Sequence, residues 1–456
     1  MGHVVFAAPS IARFHLHERL GRKLLSRGHV VEYLCPDPVS FRCHSAHGLA
    51  ARLLAVGRGA PSRIPIAEFA LQQCLLEGIR DPDPAELGRR ARPLTLIASG
   101  LVRFFERNRP DLVFLHQERG GLHRLIHFVA REYGTRILWT GDGMLPGTQQ
   151  IDGEGIDGDS SSCRRSAIDY RDLPRDPDFL ESVLSAWIAQ VLPPALARAP
   201  RHDPRLLVGL WDLVTSWRSG RLSLGKQALH AWRAEDPKQP SEPAPAGPTG
   251  APFVVLVLQN PSSPRIRLDA PDAPDPALLA RTTAAALKTI DPGLRLAIVL
   301  PSTPLPSGMR WSMPDGAQVL TSVHLPVLTS TAGAFVSVND PSAVGALLAG
   351  TPVLHFGRTP YGVPGVARRT SLDTLREDLR EALPTSAATL RERFLYRYLR
   401  RDHVWCSPDF PDQNGLRGLV LAIELALKER GQEGADLRYA PGPTWPLAQS
   451  RRLESS

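Results

Sequence analysis

Apolar runs of strand length alternate with amphipathic stretches along most of the chain, starting at the first residues. The opening reads VVFAAP, then a polar turn, then an amphipathic stretch over Phe14–Ser26, and then a second apolar run, VVEYLC. Gly28, a helix stop signal, comes just before the second run. Apolar positions at helical spacing between two strand-like runs predict a βαβ unit.

The same alternation continues beyond this unit. It predicts helices over residues 91–107 and 122–133, and apolar strands over residues 111–117 and 135–141. Strands that alternate with helices favour a parallel sheet covered by helices, whose functional loops follow the carboxyl ends of the strands.

A second βα series begins after a polar, Pro-rich segment. Residues 179–232 have a mostly helical pattern, whereas residues 234–252 lack an apolar period, which indicates an interdomain linker. Beyond the linker, the pattern predicts strands at residues 253–259, 294–300, 335–339 and 351–356, and helices at residues 275–289, 342–349, 372–383, 387–400 and 415–431.

Two such series predict two domains, which a chain of 456 residues can accommodate. The predicted division is an N-terminal acceptor-side α/β domain with a helical extension (1–233), the linker (234–252), a C-terminal donor-side α/β domain (253–410), and a C-terminal helix and tail (411–456). The expected fold class is α/β, with two doubly wound Rossmann-like domains around a cleft. This arrangement is like the GT-B fold of glycosyltransferases, so the fold-level analogy points to nucleotide-sugar chemistry.

Composition narrows the class of protein. Apolar residues make up 43% and charged residues 22% of the chain, as in globular proteins. The net charge of +8 suits an anionic nucleotide, an acidic glycan or an anionic lipid surface, while the lack of nucleic-acid motifs argues against nucleic acid. The apolar runs are too short to span a membrane, and the first residues do not read as an export signal, so a cytoplasmic location is expected. Five cysteines without CxxC spacing favour neither disulfides nor a metal site.

The densest polar cluster covers residues 140–162 and starts where an apolar strand is predicted to end. Gly141 and Gly143 permit a sharp turn around Asp142, which would aim this carboxylate into a cleft. An ordinary acidic turn residue fits the pattern equally well. The length of the polar run favours function, because long loops without secondary structure are uncommon in compact domains.

In the second series, a strand-to-helix junction carries Asn339, Asp340 and Ser342. Backbone N–H groups at such a junction can hold a phosphate, although Asp340 as an ordinary helix cap explains the same residues. The loop after the next strand contains Arg358, which could bind an anion, and Tyr361. No Walker loop, GxSxG elbow or GxGxxG occurs in a suitable context, which argues against kinases, hydrolases and dehydrogenases.

Four segments carry a resemblance to a known family. They are TGDGMLPGTQQIDGEGID, VLQNPSSPRIRLDAPD, VSVNDPSAVGALLAGTPVLHFGRTPYGVPGV and FLYRYLRRDHVWCSPDF. In this order and spacing they resemble the acidic stretch, the P-L-Q strand, the N-S-T-x-G to P-G-L run and the C-terminal F-L…G-S-F-Y segment of the capsule polysaccharide synthesis proteins. That family includes the bacterial β-Kdo transferases that build the glycolipid linker of capsules.

The resemblance implies a glycosyltransferase of capsular or surface polysaccharide biosynthesis, which transfers a sugar to a glycan or glycolipid acceptor. The family's donor is CMP-Kdo, a substrate, so no separate cofactor is expected. Asp142 would be the catalytic carboxylate, as base or nucleophile, with Asp152 as the second acid. The residues expected to line the donor side are Gln259, Asn339, Ser342, Arg358 and Tyr361.

The chain also departs from the family's motifs. The acid-acid-Gly motif appears as Gly141, Asp142 and Gly143, the Lys-His-His-Pro motif as residues 298–301 (IVLP), and the Ser-Thr pair as Asp340 and Pro341. These losses favour an alternative, a catalytically degenerate relative that binds glycan or supports an active transferase. A third hypothesis is a protein that binds anionic surfaces without glycan chemistry.

Membrane contact is a separate hypothesis. Residues 205–234 place tryptophans and leucines near one helical stripe, bordered by arginine and lysine. This combination suits the inner face of the cytoplasmic membrane, although packing against the N-terminal domain is the more common outcome for such a stripe.

Overall fold

A computed structural model describes residues 1–57, 61–116, 119–189, 252–301, 314–320, 324–383, 388–407 and 411–428. The strands of this part are β1 (His3–Ala7), β2 (Val30–Cys35), β3 (Ala51–Leu53), β4 (Leu112–His116), β5 (Arg136–Asp142), β6 (Gln149–Asp152), β7 (Phe253–Val257), β8 (Arg295–Val299), β9 (Ala317–Leu320), β10 (Ala334–Ser337), β11 (Val353–His355), β12 (Arg368–Arg369) and β13 (His403–Val404). Its helices are α1 (Phe14–Ser26), α2 (Pro38–Ala46), α3 (Ile66–Glu77), α4 (Pro84–Asn108), α5 (Gly121–Glu132), α6 (Pro177–Ile188), α7 (Pro264–Asp269), α8 (Pro276–Ile290), α9 (Leu325–Thr331), α10 (Ala343–Leu348), α11 (Leu375–Ala382), α12 (Ala388–Arg401) and α13 (Gln413–Lys428).

The first sheet has the strand order β13-β6-β5-β4-β1-β2-β3. Strands β1 to β5 pair in parallel, whereas β6 runs antiparallel to β5 and β13 antiparallel to β6. From β1 the chain moves outward to β2 and β3, and then crosses to β4 on the other side of β1. The topological switch point of this sheet therefore lies between the carboxyl ends of β1 and β4.

The second sheet has the strand order β12-β11-β10-β7-β8-β9, and its pairs are parallel. The chain moves from β7 outward to β8 and β9, and then crosses to β10 on the other side of β7. The switch point here lies between the carboxyl ends of β7 and β10. The predicted α/β class with two doubly wound sheets is confirmed.

Each sheet packs against core clusters on both faces, and its inner strands are mainly apolar. In β1, Val5 packs into one core cluster and Val4 and Phe6 into another. In β7, Val255 and Leu256 divide in the same way between two clusters of the second half. A continuous apolar run is the pattern of a strand covered by helices on both faces, which is why sequence periodicity located these strands.

The prediction of a long loop over residues 140–162 is wrong for its centre, which forms β6. Gln149 and Gln150 are fully buried, although their side chains are polar. Gln149 Nε2 donates a hydrogen bond to the carbonyl of Cys406 (3.2 Å). Gln150 Oε1 accepts a hydrogen bond from the backbone N–H of Asp157 (3.1 Å). A strand whose buried positions are glutamines has no apolar alternation for a sequence pattern to detect.

The chain returns to the first sheet near its C-terminal end. β13 pairs with β6, and α13 packs on α1 with Leu416, Leu419 and Ile423 in the core of the first sheet. Glu424 accepts hydrogen bonds from Arg27 at 2.5 and 2.9 Å. β13 pairs in the first sheet although it lies within residues 253–410, which the sequence-based division assigns to the C-terminal domain.

Two of the sequence hypotheses concern residues outside the described part. The predicted linker at residues 234–252, apart from its last residue, and the tryptophan-containing stripe at residues 205–234 lie in the undescribed stretch 190–251. Within the described ranges, none of the helices has the length and apolar character needed to cross a bilayer.

Removing a buried leucine from α13 should destabilise the first domain. Leu419 has 0% exposure, whereas Leu421, two residues further along the same helix, is 37% exposed. Leu419→Ala is expected to lower the free energy of unfolding by about 2–5 kcal/mol, and Leu421→Ala by clearly less. Urea denaturation of the full chain measures both. Equal, small effects would show that α13 is not part of this core.

Candidate functional site

The carboxyl edge of the second sheet joins two predicted site residues at its switch point. Gln259 follows β7 and Asn339 follows β10. Gln259 Nε2 donates to Asn339 Oδ1 and the backbone N–H of Asn339 donates to Gln259 Oε1, both at 2.9 Å. Asn339 Nδ2 also donates to the carbonyl of Arg265 at 3.1 Å. The two amides thus bridge the crevice and fix the loops on either side of it.

A cavity of about 250 Å³ opens beside this bridge. Most of its lining residues are apolar, with Leu258, Ile266 and Val338 among them, and Gln259 and Asp275 supply polar groups. Arg80, from the first half of the chain, also lines it. A mostly apolar cavity with a few polar groups is the usual form of a small-molecule site.

Ser342 and Tyr361 lie beside the bridge but support the loop around Asp340. Ser342 donates to Asp340 Oδ1 from both its backbone N–H and its hydroxyl. The Tyr361 hydroxyl donates to the Asp340 carbonyl at 2.9 Å, and its ring is fully buried. Ser342, and not Asp340, is the N-cap residue of the short helix α10.

Arg358, the remaining predicted donor-side residue, belongs to a charged cluster between the two halves of the chain. Arg358 Nη2 lies 3.0 Å from Asp159 Oδ1 and 3.4 Å from Asp269 Oδ1. Arg119, in the loop after β4, donates to Asp269 at 2.5 and 2.6 Å and to Asp159 at 3.0 and 2.6 Å. These bonds connect the first half of the chain to the second.

Burial dominates the electrostatics of this cluster. The Asp269 carboxylate has 0% exposure, and burial raises its pKa even though Arg119 pulls it down. Burial also acts to raise the pKa of Asp159, but the arginines around it, Arg119 first and then Arg124, outweigh burial and lower it. Sequence reasoning did not assign a role to Arg119, Asp159 or Asp269, although Asp159 lies in the polar cluster at residues 140–162 and Asp269 in the segment VLQNPSSPRIRLDAPD.

Imidazoles occupy the switch point of the first sheet. His116, the last residue of β4, lies with Nδ1 2.5 Å from Thr140 Oγ1, and its ring centroid is 5.3 Å from that of His17. His17 is 1% exposed, and neither of its ring nitrogens has a hydrogen-bond partner within the described residues. Burial, and then the neighbouring His116, His44 and Arg13, hold the pKa of His17 well below its usual value, so this ring is neutral.

Asp142 and Asp152 occupy different environments on the β5–β6 hairpin. Asp142 ends β5 with its side chain 51% exposed, and one carboxylate oxygen lies 3.6 Å from Arg13 Nη2. Asp152 is 4% exposed and accepts from the backbone N–H groups of Glu154 (2.7 Å) and Ser161 (2.9 Å) and from the Ser161 hydroxyl (2.6 Å). Burial raises the pKa of Asp152 to about 6, although hydrogen bonds from Ser161 oppose the shift. Asp152 therefore holds a turn together, and Asp142 is the carboxylate that solvent reaches.

Metal ligands do not cluster in the described ranges, where no group of three or more His, Cys, Asp or Glu side chains could hold an ion. The polar groups at the two carboxyl edges include a half-exposed carboxylate, arginines, amides and imidazoles.

No family model matches this chain, and no curated protein matches it. Several solved structures are similar to it at a distance. The glycotransferase of kitacinnamycin is 17% identical, with 93% of this chain and 98% of that chain covered at a TM-score of 0.36. The KpsC β-Kdo 2,4 transferase of Thermosulfurimonas dismutans is 16% identical, with 69% and 88% covered at a TM-score of 0.41. The calicheamicin glycosyltransferase is 14% identical, with 94% and 100% covered at a TM-score of 0.35. Similarities this low carry no argument about function, and the fold class rests on the strand orders.

Breaking the buried charge cluster should cost far more stability than breaking an exposed ion pair. Asp269→Asn leaves Arg119 with one fewer buried anion, and we expect a loss of about 3–5 kcal/mol in the free energy of unfolding. Glu377→Gln, at an exposed partner of Arg380, should cost no more than about 1 kcal/mol. Chemical denaturation of both variants checks the difference. A similar small loss in both would show that the cluster does not hold the two halves together.

Proposed function

We propose that this chain is a glycosyltransferase that moves a sugar from a nucleotide donor, held by the second domain, to a glycan or glycolipid acceptor, held by the first. The observation that carries the proposal is the cavity at the switch point of the second sheet, which residues of both halves line. Ligands of doubly wound sheets bind at such points. The sequence resemblance adds capsular or surface polysaccharide synthesis as the pathway class and CMP-Kdo as the donor.

The donor would occupy the cavity of about 250 Å³. Its apolar walls suit the faces of a nucleobase, while Gln259 offers an amide edge for hydrogen bonds. Arg80, from the first half of the chain, supplies positive charge for the phosphates, and Asp275 adds a carboxylate to the same lining. The Gln259–Asn339 bridge would position these loops and would not itself be consumed in binding.

Asp142 is the proposed catalytic carboxylate. It ends a strand of the first sheet, its carboxylate reaches solvent, and Arg13 lies close enough to steer it. A carboxylate in this position could remove the proton from an acceptor hydroxyl or attack the sugar carbon, and both roles stay open. Asp152 is not given either role, since its oxygens are occupied by backbone and hydroxyl donors.

A second candidate function is glycan binding or support of a partner transferase without catalysis. The observation that favours it is found at the strand-to-helix junction of residues 339–342. There the Asp340 carboxylate already accepts hydrogen bonds from the Ser342 backbone N–H and hydroxyl. A carboxylate there repels a nucleotide phosphate and competes for the same donors. Location at the inner face of the cytoplasmic membrane is a further part of either proposal.

Asp142→Asn should abolish sugar transfer and leave donor binding nearly unchanged. The substitution keeps the size of the side chain but removes the charge that either catalytic role requires. Purified protein would be assayed for transfer and, separately, for nucleotide binding by calorimetry. Asp373→Asn, at an exposed position of the second half, is the matched control and should retain full transfer. Transfer by Asp142→Asn at the wild-type rate would remove Asp142 from the mechanism.

The altered donor motif separates the two candidate functions. In the resembling family a histidine and paired hydroxyls face the nucleotide, and the loss of two such contacts should weaken CMP binding by ~10² or more. If the protein is a catalytically degenerate relative, CMP-Kdo should not bind measurably. A triple variant that combines Leu300→His, Asp340→Ser and Pro341→Thr should then gain affinity for CMP-Kdo. If it is an active enzyme with a rearranged site, the triple variant should bind its native donor more weakly.

Calorimetric titration of both proteins against CMP-, UDP- and GDP-sugars provides the measurement. Tight binding of CMP-Kdo by the unmodified chain would contradict the idea that these substitutions removed donor contacts.

A further inference from the structure

A second cavity, of about 240 Å³, lies between the two halves of the chain, apart from the proposed donor cavity. Its lining has charged residues and apolar residues. Arg119 and Arg124 from the first half and Arg358 from the second supply guanidinium groups, while leucines, among them Leu71 and Leu268, supply apolar surface. The volume is several times the roughly 30 Å³ that one water occupies in the liquid, so an organic group fits.

Three guanidinium groups converge on one carboxylate in this cavity. Asp159 pairs with Arg119 at 2.6 Å, with Arg358 at 3.0 Å, and with Arg124. Arg119 is also bound by Asp269 on the other side, but Arg124 has Asp159 as its ion-pair partner in the described part of the chain. A single carboxylate offers two oxygens, so the donors of three guanidiniums outnumber the acceptors that Asp159 supplies.

The arginines of the cluster outnumber the aspartates with which they form ion pairs. Four arginines (119, 124, 265 and 358) pair with three aspartates (157, 159 and 269), and Glu68 also lines the cavity. Burial and the neighbouring Arg119 and Arg358 lower the pKa of Arg124 despite the pull of Asp159. Arg124 Nε is buried and has no hydrogen-bond partner within the described residues.

We propose that this cavity is a binding site for a carboxylate or phosphate group attached to a ring or another partly apolar body. Arg124 and Arg358 would donate to the anion from the two halves of the chain, and the leucine surface would contact the body that carries it. Planar guanidiniums match both carboxylate and phosphate. Asp159 acts as an internal anion that holds the arginines in place and limits the affinity of the site.

This site is separate from the proposed donor cavity, and the inference deepens the proposed function by giving the ligand an acidic group. It rests on that function only in identifying the ligand as an acidic sugar or a phosphorylated acceptor. Binding is measured without turnover, so the two ideas can fail separately. Sugar transfer that does not depend on these arginines would contradict only the anion site proposed here. Anion binding without sugar transfer would contradict only the proposed glycosyltransferase activity.

Calorimetric titration of the full chain with pyrophosphate, glucuronate and glucose tests the site. Glucuronate binding points to a carboxylate ligand and pyrophosphate binding to a phosphate, whereas neutral glucose should not bind. Arg124→Gln and Arg358→Gln should each weaken the anion by at least about tenfold, since each removes a charged donor. Arg368→Gln changes an exposed arginine of the second half that pairs with Asp378 and Glu381, and it should leave the affinity unchanged.

Asp159→Asn should increase the affinity for the anion, whereas the two arginine substitutions should decrease it. This difference distinguishes a ligand site from a structural ion-pair cluster. Removal of the internal anion should tighten glucuronate or pyrophosphate by about tenfold. The inference is overturned if neither anion binds better than glucose, or if Arg358→Gln and Arg368→Gln have equal affinities. Because Arg358 is half exposed, that comparison remains decisive even if Asp159→Asn does not fold.

Discussion

The buried guanidinium of Arg119 ties the two halves of the molecule together, and the arrangement of both sheet edges depends on it. It lies 5% exposed between Asp159 of the first half and Asp269 of the second. Removing such charges from water costs several kcal/mol per ion, so the cluster is stable only while each charge is paired. Apolar contacts, such as those of Met144 and Tyr170 with the core of the second sheet, also join the halves. Apolar contacts have little directional preference, whereas the planar fork of Arg119, together with the Arg265–Asp157 and Arg358–Asp159 pairs, restricts how the halves are oriented.

Most polar groups at the carboxyl edges are occupied by one another, and this distinguishes supporting residues from those that can meet a ligand. Gln259 and Asn339 satisfy each other across the second switch point. Asp152 closes a turn of the chain. Two charged side chains that solvent does reach are those of Asp142 and Arg358, each about half exposed. A rigid, internally bonded support beneath a few accessible charges is the arrangement that positioning of a ligand requires.

The same internal hydrogen bonds bear on both proposed functions, catalysis and ligand binding without catalysis. A preorganised site costs little to adjust when its ligand arrives, and this favours an enzyme. A junction in which Asp340 already occupies the N–H and hydroxyl of Ser342 must instead lose those bonds before a phosphate can enter. The gain from preorganisation and the cost of breaking the Asp340–Ser342 bonds, and not the fold, therefore separate the two proposed functions.

The sequence by itself determined those strands and helices that carry an apolar period, because this period is a local property of each segment. α1 begins and ends where its pattern predicted, and the apolar runs at β1, β4 and β7 became central strands. The family resemblance also named Gln259, Asn339 and Arg358, which in the structure follow β7, β10 and β11. Tertiary structure alone decided that buried glutamines form β6, that α13 covers the first sheet, and that Arg119 meets Asp269, 150 residues away along the chain. Contacts of this kind depend on which surfaces meet after the sheets have formed, and no local pattern of side chains encodes that choice.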